Sequence, residues 1–69
     1  MPINSASVGE MIHAIRKIKG LTQEDLAREV GLSRGQVANI EVGRSDMPLR
    51  TLARFAEALG VQMKELIPG

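Results

Sequence analysis

The sequence predicts an all-α domain, a compact bundle of five short helices. Apolar residues recur every three or four positions along most of the chain, as they do on one face of a helix. Four of these segments are each followed by a glycine, the residue most often found just past a helix C-terminus: Gly20, Gly31, Gly43 and Gly60. The chain has 69 residues and no cysteine. Its stability must therefore come from helix packing in one core.

The first helix is predicted to begin near Ser7, after a polar tail without periodicity formed by residues 1 to 6. Ser7 and Glu10 have the spacing of a capping box, in which each side chain bonds the backbone N–H of the other residue. Five apolar residues then share one helical face: Val8, Met11, Ile12, Ile15 and Ile18. We expect residues 1 to 6 to be flexible and residues 7 to 69 to form a single domain.

Two further helices are predicted with a very short connection between them. Thr22 and Ser33 are suited to cap these helices, because Asp25 and Gln36 follow at capping-box spacing. Gly31 lies where the first of the two must end. The pattern predicts helix 2 over residues 23 to 30, a turn over residues 31 to 33 and helix 3 over residues 34 to 42, which together make a helix-turn-helix unit.

The exposed side of helix 3 is almost uncharged. Helix 2 is predicted to bury Leu26, Ala27 and Val30, and helix 3 to bury Val37 and Ile40. At about 100° per residue, the opposite side of helix 3 carries Gly35 and Asn39, flanked by Gln36, Ala38 and Val42. A helix side exposed only for solubility would usually carry Lys and Glu. This side is therefore a candidate binding surface.

A fourth helix is predicted to have Pro48 in its first turn, where a missing N–H does no harm, and to end at Gly60. We expect Met47, just before it, to be exposed. A short fifth helix follows, from about Met63 to Ile67, and Pro68 ends the fold. The apolar surface of the fourth helix is wide: Leu49, Leu52, Ala53, Phe55, Ala56 and Leu59.

Composition argues against several classes of function. No apolar run approaches the ~20 residues that cross a bilayer, and the N-terminus lacks the features of a secretory signal, so we expect a cytoplasmic protein without membrane contact. His13 is the only histidine, and no Ser-His-Asp set or carboxylate pair stands out. We therefore expect no metal, no cofactor and no enzymatic activity. A single Phe, without Trp or Tyr, disfavours single-strand binding by base stacking.

Charge gives a weak indication of nucleic-acid binding. The formal net charge is only +1, but residues 16 to 44 hold six Lys/Arg against four Asp/Glu, whereas residues 45 to 69 hold three of each. The positive excess therefore lies in the helix-turn-helix region.

A series of residues at fixed spacing gives a more specific signal: Leu21, Thr22, Gln23, Leu26, Ala27, Gly31, Leu32, Ser33, Val37, Ile40, Glu41, Gly43 and Arg44. With this series the chain resembles the phage Cro and repressor-like, or Xre-type, helix-turn-helix family, whose members have the lambda-repressor-like DNA-binding fold. The similarity continues through LRTLARFAEALGV and covers about residues 8 to 67.

The resemblance implies that helix 3 lies in the major groove of double-stranded DNA while helix 2 crosses the backbone. Arg34 has the fork that pairs with guanine and Asn39 the amide that pairs with adenine, although either could instead contact phosphate. Gln36 could instead be occupied in capping Ser33. The resemblance also implies an ion pair between Arg16 and Glu41 that fixes helix 3. The predicted DNA-binding set is Gln23, Ser33, Arg34, Gly35, Gln36, Ala38, Asn39 and Arg44.

Two residues of helix 3 depart from the family pattern. Gly35 stands where a polar side chain is usual, which either lets the backbone approach the groove closely or marks a position that reads no sequence. Val42 stands where a polar or basic residue is common, which weakens any phosphate contact there.

We therefore predict a sequence-specific, double-stranded DNA-binding transcriptional regulator, a repressor that binds a pseudo-palindromic operator as a homodimer. Three alternatives stay open: the antitoxin of a toxin-antitoxin pair with a toxin partner, a restriction-modification controller protein, and a protein-protein adaptor on the same fold. The predicted dimer interface lies at the fifth helix and the loop before it, which offer more apolar surface than one short helix needs: Val61, Met63, Leu66 and Ile67.

Overall fold

The computed structural model describes residues 5–67, and its regular secondary structure over that range is entirely helical. The helices are α1 (Ser5–Ile18), α2 (Gln23–Val30), α3 (Arg34–Glu41), α4 (Leu49–Leu59) and α5 (Met63–Leu66). The prediction of an all-α domain with five helices is confirmed.

Both capping boxes of the helix-turn-helix are confirmed. Thr22 Oγ1 accepts from the Asp25 backbone N–H and Asp25 Oδ2 accepts from the Thr22 backbone N–H, each at 3.0 Å. Ser33 Oγ accepts from the Gln36 N–H at 3.1 Å, and Gln36 Oε1 accepts from the Ser33 N–H at 2.8 Å. Gly31 has a left-handed backbone with φ of 74°, so the three-residue turn reverses the chain where the sequence places it.

Other helix boundaries differ from the prediction by one or two residues. α1 begins at Ser5, so Ser7 lies inside the helix instead of capping it, and residues 5 and 6 belong to the helix and not to the predicted tail. Residues 1 to 4 and the predicted stop at Pro68 lie outside the described range. Pro48 is the N-cap of α4 and not part of its first turn, and Val42 is the C-cap of α3.

Each of the helices contributes to one apolar core. α3 packs between α1 and α2, and α4 packs against α2 while also contacting α1 and α5. Phe55 of α4 is fully buried together with Ile12 of α1, Leu26 of α2 and Val37 of α3. Leu66 of α5 closes this core and is also fully buried.

The apolar pattern overestimated burial at the end of α1, at the start of α4 and at one position within α4. Ile18 is 80% exposed and Leu49 is 68% exposed, although each continues the apolar face of its helix. Ala53 is also exposed. Met47, expected to be exposed, is instead half-buried and packs against the core. Among the described helices, none combines the length and the apolar character that crossing a bilayer requires.

Candidate nucleic-acid interface

A buried ion pair lies beneath the end of α3 that faces α1. Arg16 of α1 donates from Nε to Glu41 Oε2 at 2.7 Å and from Nη2 to Glu41 Oε1 at 3.1 Å. The remaining guanidinium nitrogen of Arg16, Nη1, donates to the backbone carbonyl of Leu21 at 2.7 Å. Both partners of the pair are buried, and the fork of Arg16 therefore ties α1 to α3 and to the segment that leads into α2.

Glu41 Oε1 collects two further contacts. His13 Nδ1 lies 2.9 Å from it, and Gln23 Nε2 donates to it at 3.1 Å. Burial alone would raise the pKa of Glu41, but hydrogen bonds from Arg16, His13 and Gln23, together with the positive charge of Arg16, outweigh burial and lower it. The carboxylate is therefore ionised near neutral pH and acts only as an acceptor.

The Gln23 side chain connects this buried carboxylate to the first residue of α3. Its Nε2 faces Glu41, and its Oε1 accepts from Arg34 Nη1 at 3.1 Å. Gln23 is half-buried, whereas Arg34 is exposed. The first turns of α2 and α3 are thus joined side chain to side chain at the protein surface.

The exposed side of α3, together with its C-cap, carries one charged residue. We call this surface the α3 face, and its members are Arg34, Gly35, Ala38, Asn39 and Val42. Ala38 is half-buried and Val42 is 63% exposed. A Cβ atom added to Gly35 would meet nothing closer than Ser33 Oγ at 4.0 Å. The fold itself therefore does not require glycine at this position.

The α3 face borders a concave surface on each side. Ala38 and Val42 line a mostly apolar concavity of about 340 Å³ together with His13 and Gln23. On the other side of Gln23, Lys17, Thr22 and Arg34 line an open cleft beside the N-terminus of α2. Its charged lining residues are Arg16, Lys17 and Arg34, which are positive, and Glu24, which is negative. Arg16 is buried against Glu41, so Lys17 and Arg34, next to the positive end of the α2 dipole, are the groups that favour an anion there.

The remaining predicted contact residues are also at the surface. Ser33, Gln36 and Arg44 are exposed. The capping box uses the Gln36 carbonyl oxygen and leaves the N–H groups of its amide available for another acceptor. The Arg44 backbone N–H donates to the Asn39 carbonyl at 2.9 Å, just beyond the left-handed Gly43. This bond holds Arg44 beside the C-terminal end of α3.

The predicted dimer interface needs one correction. Leu66 is fully buried, because its side chain fills the core beneath α5, and it cannot contribute to an intermolecular surface. Val61, Met63 and Ile67 are half-buried and pack against the core, so part of each side chain reaches the surface.

Two residues of the site region have roles that the sequence reasoning missed. His13 is exposed, and its ring also contacts Glu41, which lies 28 residues away in sequence. Gly9 lies where α1 crosses α3, and a Cβ atom added there would clash with the backbone carbonyls of Ile40 and Glu41. Neither contact has a local sequence signal, since both depend on how α1 docks against α3.

Two capped helices across a three-residue turn, with the second helix exposed along an almost uncharged face, define a helix-turn-helix domain. The chain belongs to the helix-turn-helix family, whose profile matches residues 12–66.

Two relatives of the chain are named as a repressor and as a control protein. It is 44% identical over 61 residues to the immunity repressor protein of Bacillus phage phi105, an alignment that covers 88% of this chain and 42% of the repressor. It is 37% identical over 60 residues to control protein C.BamHI of Bacillus amyloliquefaciens, covering 86% of this chain and 74% of that protein. The chain thus spans less than half the length of the phage repressor.

A solved structure supports the same fold. The crystal structure of the restriction-modification controller protein C.AhdI from Aeromonas hydrophila superposes with a TM-score of 0.86 at 34% sequence identity. The superposition covers 90% of this chain and 94% of C.AhdI. The lambda-repressor-like bundle predicted from the sequence is therefore the architecture of this domain.

Proposed function

We propose that this chain is a sequence-specific regulator of transcription that binds double-stranded DNA through the α3 face. The observation that carries the proposal is the composition of that face, which combines the fork of Arg34 and the amide of Asn39 with small or apolar residues at an exposed helix. Arg pairs bidentately with guanine and Asn with adenine in the major groove. Ala38 and Val42 offer methyl groups of the kind that pack on thymine.

The flanking residues are suited to hold the duplex backbone. The open cleft beside the N-terminus of α2 would take one phosphate, with Gln23 and Lys17 at its edge. Ser33 and Gln36 lie at the start of α3, where the helix would enter the groove. Arg44, beyond the other end of α3, would bind a phosphate whatever the base sequence. A phosphate contact positions the protein on the duplex without reading bases.

We propose further that the regulator is a repressor and acts as a homodimer. The similarity to the phage phi105 immunity repressor supports the first part. The half-exposed apolar residues Val61, Met63 and Ile67 around α5 support the second, since two-fold pairing would place two α3 faces on half-sites about 34 Å apart. We propose the cytoplasm as its compartment, because a regulator of transcription must reach chromosomal DNA.

Selection of bound sequences from a random duplex pool tests the proposal. The expected product is a pseudo-palindrome whose half-sites are separated by about one helical turn. Binding to unselected duplex should weaken steeply as salt rises, because each phosphate contact releases counterions. A chain that binds no duplex even in dilute buffer would instead be an adaptor on the same fold.

A restriction-modification controller is the second candidate, and the close superposition on C.AhdI along nearly the whole of that chain favours it. Both candidates use the same DNA-binding surface and differ in the genes they regulate. Mapping the selected sequence onto the source genome distinguishes them. Sites beside restriction and methyltransferase genes would support the controller, and sites elsewhere would support the repressor.

A further inference from the structure

We propose that His13 binds a phosphate of the DNA backbone through Nε2 when its imidazole ring is protonated. This inference rests on the proposed function, and it adds one residue and a dependence on pH to the same interface. His13 is the only histidine of the chain. It is exposed and lies on α1, outside the helix-turn-helix unit.

The imidazole ring is held in one orientation by a buried acceptor. His13 Nδ1 lies 2.9 Å from Glu41 Oε1, and the ionised carboxylate of Glu41 only accepts. The hydrogen between these two atoms must therefore belong to Nδ1. Since Nδ1 then cannot accept, Arg16 Nη2, 3.2 Å from it, donates to Glu41 Oε1 instead. The neutral ring consequently carries its hydrogen on Nδ1 and none on Nε2.

Protonation adds a donor at Nε2 without turning the ring. The bond from Nδ1 to Glu41 is possible in both charge states, because both ring nitrogens carry hydrogen in the protonated form. A neutral ring presents only a lone pair at Nε2, which cannot pair with a phosphate oxygen. A protonated ring presents an N–H group and a positive charge, the combination that binds phosphate. Phosphate binding is therefore restricted to the protonated form.

The position of His13 beside the α3 face favours a backbone phosphate as its partner. Its side chain is 52% exposed and lines a concavity together with Ala38 and Val42. Arg34, Ala38 and Val42 follow each other at intervals of four residues and form one stripe along the helix side. The cleft at Arg34 and the concavity at His13 both lie beside this stripe. A DNA strand with a phosphate in the cleft would therefore continue past the concavity.

The concavity has one residue that can attract this strand. Val42, which stands where the family usually has a polar or basic residue, is 63% exposed and offers neither charge nor hydrogen bond. Among the residues that line the concavity, His13 alone can become positive. A protonated ring would thus provide a phosphate contact next to the position where the side chain of Val42 provides none.

The charged groups around the imidazole ring are of both signs. Its own helix contributes Glu10, Arg16 and, one turn further along, Lys17, while α3 contributes Glu41. From α2 the uncharged Gln23 lines the same concavity. The charges of Arg16 and Glu41 compensate each other in their buried pair. Exposed Glu10 would repel a phosphate while the ring is neutral, and protonation of the ring offsets this repulsion.

Binding measured across pH tests this role. The quantity is the dissociation constant for a random-sequence duplex from pH 8 to pH 5.5, the range in which histidine ordinarily changes its charge. We expect the wild type to bind about 2- to 10-fold more tightly at pH 5.5 than at pH 8. The slope of log K against log salt should steepen by about 0.9, the contribution of one phosphate. His13→Gln should bind equally at both pH values, because the chain then has no histidine.

Two further variants separate the position of the charge from its presence. His13→Lys keeps a positive charge throughout this pH range and should bind at pH 8 as tightly as the wild type binds at pH 5.5. The matched control combines His13→Gln with Arg54→His, which places the single histidine in the groove that α2 and α4 line. This double variant should show no dependence on pH, because salt screens exposed charges that do not contact the duplex. Circular dichroism at each pH checks that every variant is folded.

The outcomes distinguish failure of this inference from failure of the proposed function. If the wild type and His13→Gln show the same dependence on pH, or if neither shows any, His13 does not bind phosphate, while DNA binding stands. An effect of pH confined to one base position would assign His13 to a base edge and would also overturn the phosphate contact. A wild type that binds no duplex at either pH overturns both the role of His13 and the proposed function.

Discussion

Replacement of Gly9 by alanine is expected to destabilise the domain, whereas the same replacement at Gly35 is expected to stabilise it. Both glycines lie inside helices, α1 and α3. The two substitutions therefore share their chemistry. They differ in helix position, since Gly9 is the fifth residue of α1 and Gly35 the second of α3, and in what surrounds the added methyl group.

The expected magnitudes follow from those surroundings. At Gly35 the new Cβ has open space, with its nearest neighbour at 4.0 Å, so the free energy of unfolding should rise by no more than the preference of alanine over glycine in a helix interior, about 1 kcal/mol. At Gly9 the new Cβ would overlap the Ile40 carbonyl oxygen and lie 2.7 Å from that of Glu41. Overpacking costs about 1–3 kcal/mol, and the upper end applies because helix carbonyls cannot rotate away.

At Gly9 the helix preference offsets part of this cost, and the net loss should be about 2 kcal/mol. Each kcal/mol shifts the melting temperature of a domain of this size by about 4–8 °C. Thermal unfolding followed by circular dichroism should therefore place Gly35→Ala above the wild type and Gly9→Ala below it. A Gly9→Ala variant as stable as the wild type would show that α1 and α3 do not cross this closely.

Three further predictions concern DNA contact, acid and assembly. Arg44→Ala should weaken binding to all duplexes alike and reduce the slope of log K against log salt by about one, as titrations at several salt concentrations would show; a loss confined to one base position would refute a phosphate contact. Acid should destabilise the fold, because the pKa of Glu41 in the folded protein is lowered from its ordinary value of 4.5. The ionised carboxylate therefore stabilises the fold above that value. As pH falls below it, the free energy of unfolding should decrease by up to about 1.4 kcal/mol per pH unit. Urea midpoints measured from pH 6 to pH 3 check this, and a flat profile would contradict it. Met63→Lys should shift sedimentation from dimer to monomer at micromolar concentration without changing the helical content, while a wild type that is already monomeric at tens of micromolar would overturn the dimer.

The helix-turn-helix was predictable from sequence because its signals are local. Each capping box joins residues three apart, through Thr22 and Ser33, and Gly31 marks the turn by its own backbone. Ile18 shows where such reasoning fails. Its spacing places it on the apolar face of α1, yet it is 80% exposed, because burial also requires a neighbouring helix at that point and periodicity carries no information about neighbours.

The contacts within the candidate site were harder to predict from the sequence, because residue spacing carries no information about neighbouring helices. The exposed side of α3 follows from helical geometry alone, and the sequence identified its residues. The contacts of Gln23 do not follow from helical geometry, since they join Gln23 to Glu41 and Arg34, which are 18 and 11 residues away in sequence. Those separations are set by the packing of α2 against α3 and have no signature in the spacing of residue types.

The buried pair of Arg16 and Glu41 joins α1 to α3, and its net contribution to stability can be measured. A buried ion pair is often replaceable by apolar residues of similar volume with no loss, or a gain of about 1–4 kcal/mol, because desolvation offsets its attraction. The double replacement of Arg16 by Met and Glu41 by Leu should therefore leave a folded domain. Replacement of Glu41 by Leu alone leaves Arg16 buried without its partner and should cost about 3–5 kcal/mol, so the double variant should melt well above this single variant. A double variant that melts no higher than Glu41→Leu in thermal unfolding would contradict this reasoning.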